Sequence, residues 1–215
     1  MVSRQEGLNI DYLVKLKSVV KRNLKRNKFI ICVGGGYTSK EYVHSSRAAV
    51  KNDYLLDWLG ISVTRANAEA VKAVLYELGV YPWIVTDIRE VKQAIDSSNV
   101  VIMGGLMPGI TTDAVAVLAA EAAGSREMIN ISKVSFIYDK DPAIKGAKPI
   151  RRMDYNRLIE MAGIYDTRVA RSNFIFDSIA ARLARRSRIR LMFIGENISN
   201  LEAAIKGRSK GTIVT

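Results

Sequence analysis

The chain has 215 residues, of which 48% are hydrophobic and 25% are charged, and its formal net charge is +12. This length is enough to bury a complete core, and we expect a single domain over residues 1–215. The single cysteine excludes an internal disulfide, and one cysteine with one histidine excludes a metal site built from His and Cys ligands.

Apolar runs are too short for a membrane protein. None approaches the ~18 residues that a spanning helix needs. The first 15 residues contain two acids and no continuous apolar stretch, so they do not form a signal peptide. We therefore expect a cytoplasmic protein that does not contact a membrane.

Positive charge is concentrated in residues 145–190, which contain 12 Lys or Arg and 4 Asp or Glu. A basic surface attracts nucleotides, RNA or acidic partners. Aromatic residues are not interleaved with these arginines, as a platform for stacking bases requires. We favour a solvated face over a nucleic-acid site and keep RNA binding as an alternative.

Helical and strand-like patterns alternate along the chain. In the first half of the chain, the predicted elements are a helix over 10–25, a strand over 28–33, a helix over 39–50, a helix over 55–78 that is interrupted near Gly60, and strands over 83–85 and 100–103. In the second half, they are a helix over 114–123, strands over 128–131 and 134–138, helices over 154–161 and 178–188, a strand over 189–194, a helix over 198–206, and a strand over 212–214 at a sheet edge. Asp177 caps the helix over 178–188, and Gly207 ends the helix over 198–206.

This alternation predicts an α/β protein, a three-layer α/β/α sandwich with a largely parallel central sheet. In such sheets, ligands bind beyond the carboxyl ends of the strands. Gly34–Gly36 and Gly104–Gly109 each follow a predicted strand. We expect these two glycine clusters to face one crevice that holds two phosphate-bearing ligands.

The segment from Gly104 to Asp113 has the composition of a phosphate cradle. A buried strand breaks into glycines there and re-enters a helix through Thr111, Thr112 and Asp113. Free backbone N–H groups and the positive end of the helix attract an anion. Glycines without a Cβ atom would let that anion come close.

Several motifs together resemble the amino acid kinase superfamily, and within it uridine monophosphate kinases of the archaeal type. The resemblance covers about residues 10–215. It rests on Val33-Gly34-Gly35-Gly36, on Leu56-Asp57-Trp58-Leu59-Gly60-Ile61 with Thr64-Arg65-Ala66-Asn67-Ala68, on Gly104 to Glu121, on Tyr138-Asp139-Lys140-Asp141-Pro142, and on Gly211-Thr212-Ile213-Val214.

The resemblance implies transfer of the γ-phosphoryl group of ATP to UMP, with Mg²⁺ carried by the nucleotide and a homo-oligomer, a hexamer, as the assembly. It assigns UMP binding to Gly35, Asp57, Leu106, Met107, Pro108, Gly109, Ile110, Thr111 and Thr112. It assigns ATP binding to Gly36, Lys40, Ser132, Tyr138 and Asp141.

Asp113 and Lys133 match the catalytic positions of the family. Asp113 would organise the site around the transferring phosphoryl group, and Lys133 would offset its charge. Each has a structural alternative: Asp113 as an acid in the first turn of a helix, Lys133 as a surface lysine. By the same reasoning, Asp57 could be a solvated helix acid and Asp141 a turn residue, and Arg65 could pair with a core acid or a neighbouring subunit.

The chain departs from the family pattern on the ATP side. The family opens with a strand and a Gly-Gly-Ser loop, and here Met1 stands about where that loop ends, so we expect the natural start to lie upstream. Ser135 and Phe136 replace a carboxylate and a glycine, and Lys40 replaces an arginine. The alternatives are therefore a non-catalytic UMP-binding homologue and a family member with another acceptor.

Overall fold

The structure is a computed structural model that describes residues 2–165, 176–208 and 210–215. The chain forms two compact units, residues 1–123 and residues 124–215, called here the first and second unit. The prediction that the chain is a single domain stays a prediction. Within the described ranges, no helix combines the length and the apolar character that crossing a membrane requires.

The first unit contains most of the helices. Its helices are α1 (Ile10–Asn23), α2 (Gly36–Ser46), α3 (Asp53–Leu75), α4 (Val91–Ser97) and α5 (Thr112–Ala122), with 3₁₀ turns at Tyr76–Leu78 and Ile88–Glu90. Its strands are β1 (Ser3–Arg4), β2 (Gly7–Leu8), β3 (Phe29–Cys32) and β4 (Val100–Met103).

Strands β3 and β4 are parallel and in register from Phe29 opposite Val100 to Cys32 opposite Met103. All four residues of β4 are buried. Because a strand buried on both faces reads as a continuous apolar run, its sequence already indicated this position. Helices α4 and α5 contribute apolar side chains to a cluster that includes Val101 and Met103 of β4.

The second unit has six described strands and three described helices. The strands are β5 (Glu127–Ser132), β6 (Ile137–Tyr138), β7 (Pro149–Ile150), β8 (Arg152–Met153), β9 (Arg190–Gly195) and β10 (Gly211–Val214), and the helices are α6 (Tyr155–Tyr165), α7 (Ser178–Ser187) and α8 (Ile198–Ile205). Four of the strands form one sheet in the order β5-β9-β10-β8. Strand β9 is parallel to β5 and antiparallel to β10, whereas β10 is parallel to β8.

The predicted α/β class is confirmed. The pairs β3–β4, β5–β9 and β8–β10 are parallel, as predicted for the main sheets, and β9–β10 is antiparallel. The short pairs β1–β2 and β6–β7 are also antiparallel. The first unit contains the two-stranded sheets β1-β2 and β3-β4, and the second unit contains the four-stranded sheet and the two-stranded sheet β6-β7. The helix caps at Asp177 and Gly207 are also confirmed. The Asp177 carboxylate accepts from the Ala180 N–H at 2.8 Å, and Gly207 adopts a φ of +76°.

Some predicted elements were wrong. Helix α3 continues through Gly60, because one glycine costs a helix only about 1 kcal/mol and the helix packs along its length against α2 and β4. Residues 83–85 do not form a strand: Val85 makes one bridge to Met103, and Trp83 is exposed. Strand β10 lies between β9 and β8 and not at an edge.

Three other differences concern short elements. Of the predicted strand over 134–138, only Ile137–Tyr138 is a strand. The pattern did not predict α4, which has only seven residues, or the β1–β2 hairpin over residues 3–8. Elements this short hold too few residues to show a periodicity.

Candidate functional site

The two glycine clusters begin at the same edge of the β3-β4 sheet, as predicted. Cys32 is opposite Met103, and the Val33 N–H donates to the Met103 carbonyl at 2.8 Å. Residues 34–36, the first glycine segment, and residues 104–109, the second glycine segment, therefore leave the sheet side by side. This is the edge where parallel sheets bind ligands.

Helix α3 holds the first glycine segment. The side-chain amide of Asn67 donates to the carbonyls of Gly34 at 3.0 Å and of Gly35 at 3.1 Å. Asn67 is buried. Because unpaired buried amides and carbonyls are costly, this fork fixes the direction of the chain as it leaves β3.

The same helix holds the second glycine segment. The Gly105 N–H donates to Thr64 Oγ1 at 2.6 Å, and Arg65 Nε donates to the Gly105 carbonyl at 3.0 Å. Arg65 Nη2 donates to the Leu106 carbonyl at 3.1 Å. The guanidinium also lies 5.8 Å from the ring centroid of Trp58, within the range of a cation–π contact.

The glycines of the second segment do not all serve ligand approach. A Cβ atom on Gly104 would lie 3.0 Å from the Arg65 amide nitrogen and from Thr64 Oγ1, and one on Gly105 would lie 3.1 Å from Ile61 Cγ1. At these two positions, the missing Cβ makes room for α3. The interpretation that they make room for an anion was wrong there.

Gly109 is different, because no described atom beyond its own residue and its two chain neighbours lies within 4 Å of the position of its Cβ, and its φ is +77°. Glycine is favoured there by the left-handed backbone. Its N–H donates to Asp57 Oδ2 at 3.0 Å, and Asp57 is exposed. The carboxylate predicted to bind the ribose thus lies beside the second glycine segment.

Helix α5 begins directly after this segment. Thr111 is its N-cap and accepts from the Ala114 N–H at 3.3 Å, so Thr112 and Asp113 stand in the first turn. Asp113 is half-buried. Burial, and secondly the negative charge of Asp113, raises the pKa of the Cys32 thiol to about 12. A thiol with this pKa is not a nucleophile near neutral pH.

The predicted ATP residues of the first unit lie on α2. Gly36 begins the helix with a φ of +61°, and Lys40 is exposed in its second turn. A Cβ on Gly36 would collide with Ser3 Oγ, and this hydroxyl donates to the Gly35 carbonyl at 3.3 Å. The turn from the first glycine segment into α2 therefore requires glycine.

The remaining predicted ATP residues lie in the second unit. Ser132 ends β5 opposite Gly195, and its hydroxyl donates to the Val134 carbonyl at 2.9 Å. Lys133 follows and is exposed. Tyr138 lies in β6 and is half-buried.

Asp141 stands in a turn, where its carboxylate accepts from the Ala143 N–H at 2.9 Å. Its carbonyl also accepts from the Ile144 N–H at 2.9 Å. These contacts match the structural alternative for Asp141. Ser135, a departure from the family pattern, lies against Gly195, the last residue of β9.

Comparison with known proteins identifies the family. Residues 6–195 match the model of the Amino acid kinase family. The chain belongs to this family. Among its relatives, the uridylate kinase of Thermococcus sibiricus is 36% identical over 86% of this chain and 82% of its own length. That of Pyrococcus abyssi is 34% identical over 96% of this chain and 92% of its own.

A solved structure of another amino acid kinase agrees with this assignment. The crystal structure of uridylate kinase from Archaeoglobus fulgidus superimposes with a TM-score of 0.85 and 28% identity, over 96% of this chain and 94% of the other. The structure of the UMP kinase from Bacillus anthracis, at 19% identity and a TM-score of 0.80, shares the fold.

The hydrogen bonds of Arg65 in this amino acid kinase were not predicted from its sequence. The sequence left a core acid or a neighbouring subunit open as its partner, and the structure gives it two backbone carbonyls. The sequence did contain a signal for the contacts of this part of the helix. Thr64, the residue before Arg65, lies seven residues after Asp57, and this spacing places Thr64 and Asp57 on one helix face. Which loop this face meets was not readable from the sequence.

Proposed function

We propose that this protein is a UMP kinase, which transfers the γ-phosphoryl group of ATP to UMP and forms UDP and ADP. One observation supports this most directly. Helix α3 binds both glycine segments at one sheet edge, in a chain that matches uridylate kinases over most of its length. The reaction demands that the protein position anions and stabilise their charge, and backbone N–H groups can do both.

In this proposal, UMP binds along the second glycine segment and the start of α5, through Leu106, Met107, Pro108, Gly109, Ile110, Thr111 and Thr112, with Gly35 opposite. The positive end of α5 favours the phosphate. The Asp57 carboxylate accepts hydrogen bonds from the ribose hydroxyls. Asp57 already accepts from the Gly109 N–H with one oxygen, so it ties the ribose position to this segment.

ATP is assigned to Gly36, Lys40, Ser132, Tyr138 and Asp141. In the reaction, an oxygen of the UMP phosphate forms a bond to the γ-phosphorus. The bond from the γ-phosphorus to the oxygen bridging the β- and γ-phosphates breaks, and ADP leaves with that electron pair. Asp113 organises the site around the transferring group, and Lys133 offsets its negative charge.

Mg²⁺ enters this proposal as a partner of the ATP phosphates, where it would neutralise charge. Within residues 2–165, 176–208 and 210–215, no group of three or more His, Cys, Asp or Glu side chains has the arrangement of a metal site. The residues present therefore fit a metal held by phosphate oxygens better than one held in a protein cage.

A homohexamer in the cytoplasm completes the proposal. The hexamer rests on the family resemblance alone, and mass measurement by light scattering after gel filtration tests it. A particle of the mass of one chain, 23.8 kDa, would contradict it.

The activity is tested with ATP, Mg²⁺ and a panel of acceptors, with ADP coupled to NADH oxidation and UDP identified by chromatography. The panel includes UMP, CMP, AMP, isopentenyl phosphate and acetylglutamate. UMP should give the highest kcat/KM. Preference for another acceptor contradicts the substrate, and calorimetric binding of UMP without binding of ATP contradicts the reaction.

Lys133 is tested against Lys140, a second exposed lysine of the same unit. Lys133→Ala should lower kcat about a hundredfold, the loss typical of one group that stabilises transition-state charge. Its KM for UMP should change little. Lys140→Ala should leave both constants within about twofold. Equal effects of the two changes would remove Lys133 from the reaction.

A further inference from the structure

Arg65 lies at the site without a role in the function proposed above. We propose that Arg65 is a positioning residue, which orients the second glycine segment so that the N–H groups of Leu106 and Met107 face the phosphate of UMP. This inference rests on the proposed UMP kinase activity and adds the group that builds its phosphate site.

Peptide geometry fixes the direction of these two N–H groups. Arg65 Nε and Nη2 donate to the carbonyls of Gly105 and Leu106 at 3.0 and 3.1 Å, so both carbonyls point toward the guanidinium. In a trans peptide, the N–H points opposite to the carbonyl of the same unit, and the described chain contains no cis peptide. The N–H groups of Leu106 and Met107 therefore point away from Arg65.

Neither of these two N–H groups has a hydrogen-bond acceptor among the described residues. They contrast with the neighbouring N–H groups of Gly105 and Gly109, which donate to Thr64 and Asp57. Two successive free N–H groups with a common direction form an anion-binding concavity. Met107 is 53% exposed, so water and ligands reach this part of the segment.

The guanidinium contributes in two ways. Its planar fork holds two donors in fixed directions toward the two carbonyls, whereas the donors of an ammonium group rotate about a single nitrogen. Its positive charge at the carbonyl end of each peptide also polarises the N–H at the other end. With its fork on the backbone and its plane near the Trp58 ring, Arg65 acts on UMP through the segment.

Thr64 allows an independent test of this proposal. Its hydroxyl accepts from the Gly105 N–H, whereas Arg65 binds the carbonyl of the same residue. If the two side chains act through one segment, losing one should reduce the effect of losing the other. Groups that bind a ligand independently have additive effects.

The experiment measures KM for UMP, KM for ATP and kcat of the wild type, Arg65→Met, Arg65→Lys, Thr64→Val and the double variant Arg65→Met/Thr64→Val. Thr64→Ser keeps the hydroxyl and serves as the control for Thr64→Val. Arg89→Met is the control for arginine loss, since Arg89 pairs with Asp87 at the surface.

Arg65→Met should raise KM for UMP at least tenfold, with KM for ATP within twofold and kcat within about threefold. Arg65→Lys should lie between wild type and Arg65→Met. The double variant should raise KM for UMP by less than the product of the single effects. An unchanged KM for UMP, equal changes in both KM values, or full additivity would overturn the proposal.

A spectroscopic readout separates positioning from direct contact. In ¹⁵N-labelled wild-type protein, saturating UMP should shift the amide signals of Leu106 and Met107. In Arg65→Met at saturating UMP, these shifts should be reduced at least by half. Full shifts in the variant would mean that Arg65 does not orient the segment. If wild-type protein has no activity on UMP, the proposed function fails instead.

Discussion

Replacing Asp57 by asparagine separates the two tasks that the proposal gives to this side chain. Its Oδ2 accepts from the Gly109 N–H at 3.0 Å, and its carboxylate is assigned to the ribose hydroxyls of UMP. Asparagine keeps one carbonyl oxygen, so the bond to Gly109 survives. It loses the negative charge and one of the two oxygens.

The expected rise in KM for UMP follows from the difference between hydrogen bonds to charged acceptors and to neutral ones. A bond to a charged group contributes about 1.5–3 kcal/mol and a neutral one about 1 kcal/mol. Two hydroxyl donors therefore lose about 2 kcal/mol together, which is about a 30-fold rise in KM for UMP. Because Asp57 is exposed and its structural bond is kept, stability should change by less than about 0.5 kcal/mol, or about 2 °C in Tm.

The assay measures KM for UMP at saturating ATP, KM for ATP at saturating UMP, and Tm. Asp53→Asn is the matched control, because Asp53 lies one turn earlier on α3 and pairs with Arg47 at the surface. Its KM for UMP should stay within twofold of wild type. If Asp57→Asn behaves like Asp53→Asn, the ribose assignment is wrong. If KM for UMP and for ATP rise together, the loss is structural.

The other predictions concern packing, burial and the α3 contacts. Gly104→Ala should lower Tm by several degrees, because its Cβ would lie 3.0 Å from the backbone of α3 and overpacking costs about 1–3 kcal/mol. Gly163→Ala, in open space on α6, should raise Tm slightly. Asn67→Asp should cost about 3 kcal/mol or more, measured by urea unfolding, because it places a carboxylate against two carbonyls. Native Cys32 should react with iodoacetamide at pH 8 at least about tenfold more slowly than in urea, because its raised pKa, about 12, keeps the folded thiol protonated. Equal rates would contradict this.

Predictions made from individual residues were correct where the signal lay within a few residues of the chain. The apolar run of residues 100–103 and the glycines after it identified β4 and its ligand-side end. Asp177 was recognised as a cap because its side chain bonds an N–H only three residues away. Gly60 misled the prediction, because its helix propensity was judged without the packing of α3 that overrides it.

The sequence alone determined the alternation of elements, the two glycine segments at strand ends and the family resemblance, because periodicity and local composition carry this information. The tertiary structure decided what these segments contact. Asn67 reaches carbonyls 32 and 33 residues away, and Arg65 reaches carbonyls 40 and 41 residues away. Such contacts depend on how α3 packs against the ends of β3 and β4. For the same reason, Gly104 and Gly105 face a helix, although their sequence is that of a phosphate cradle.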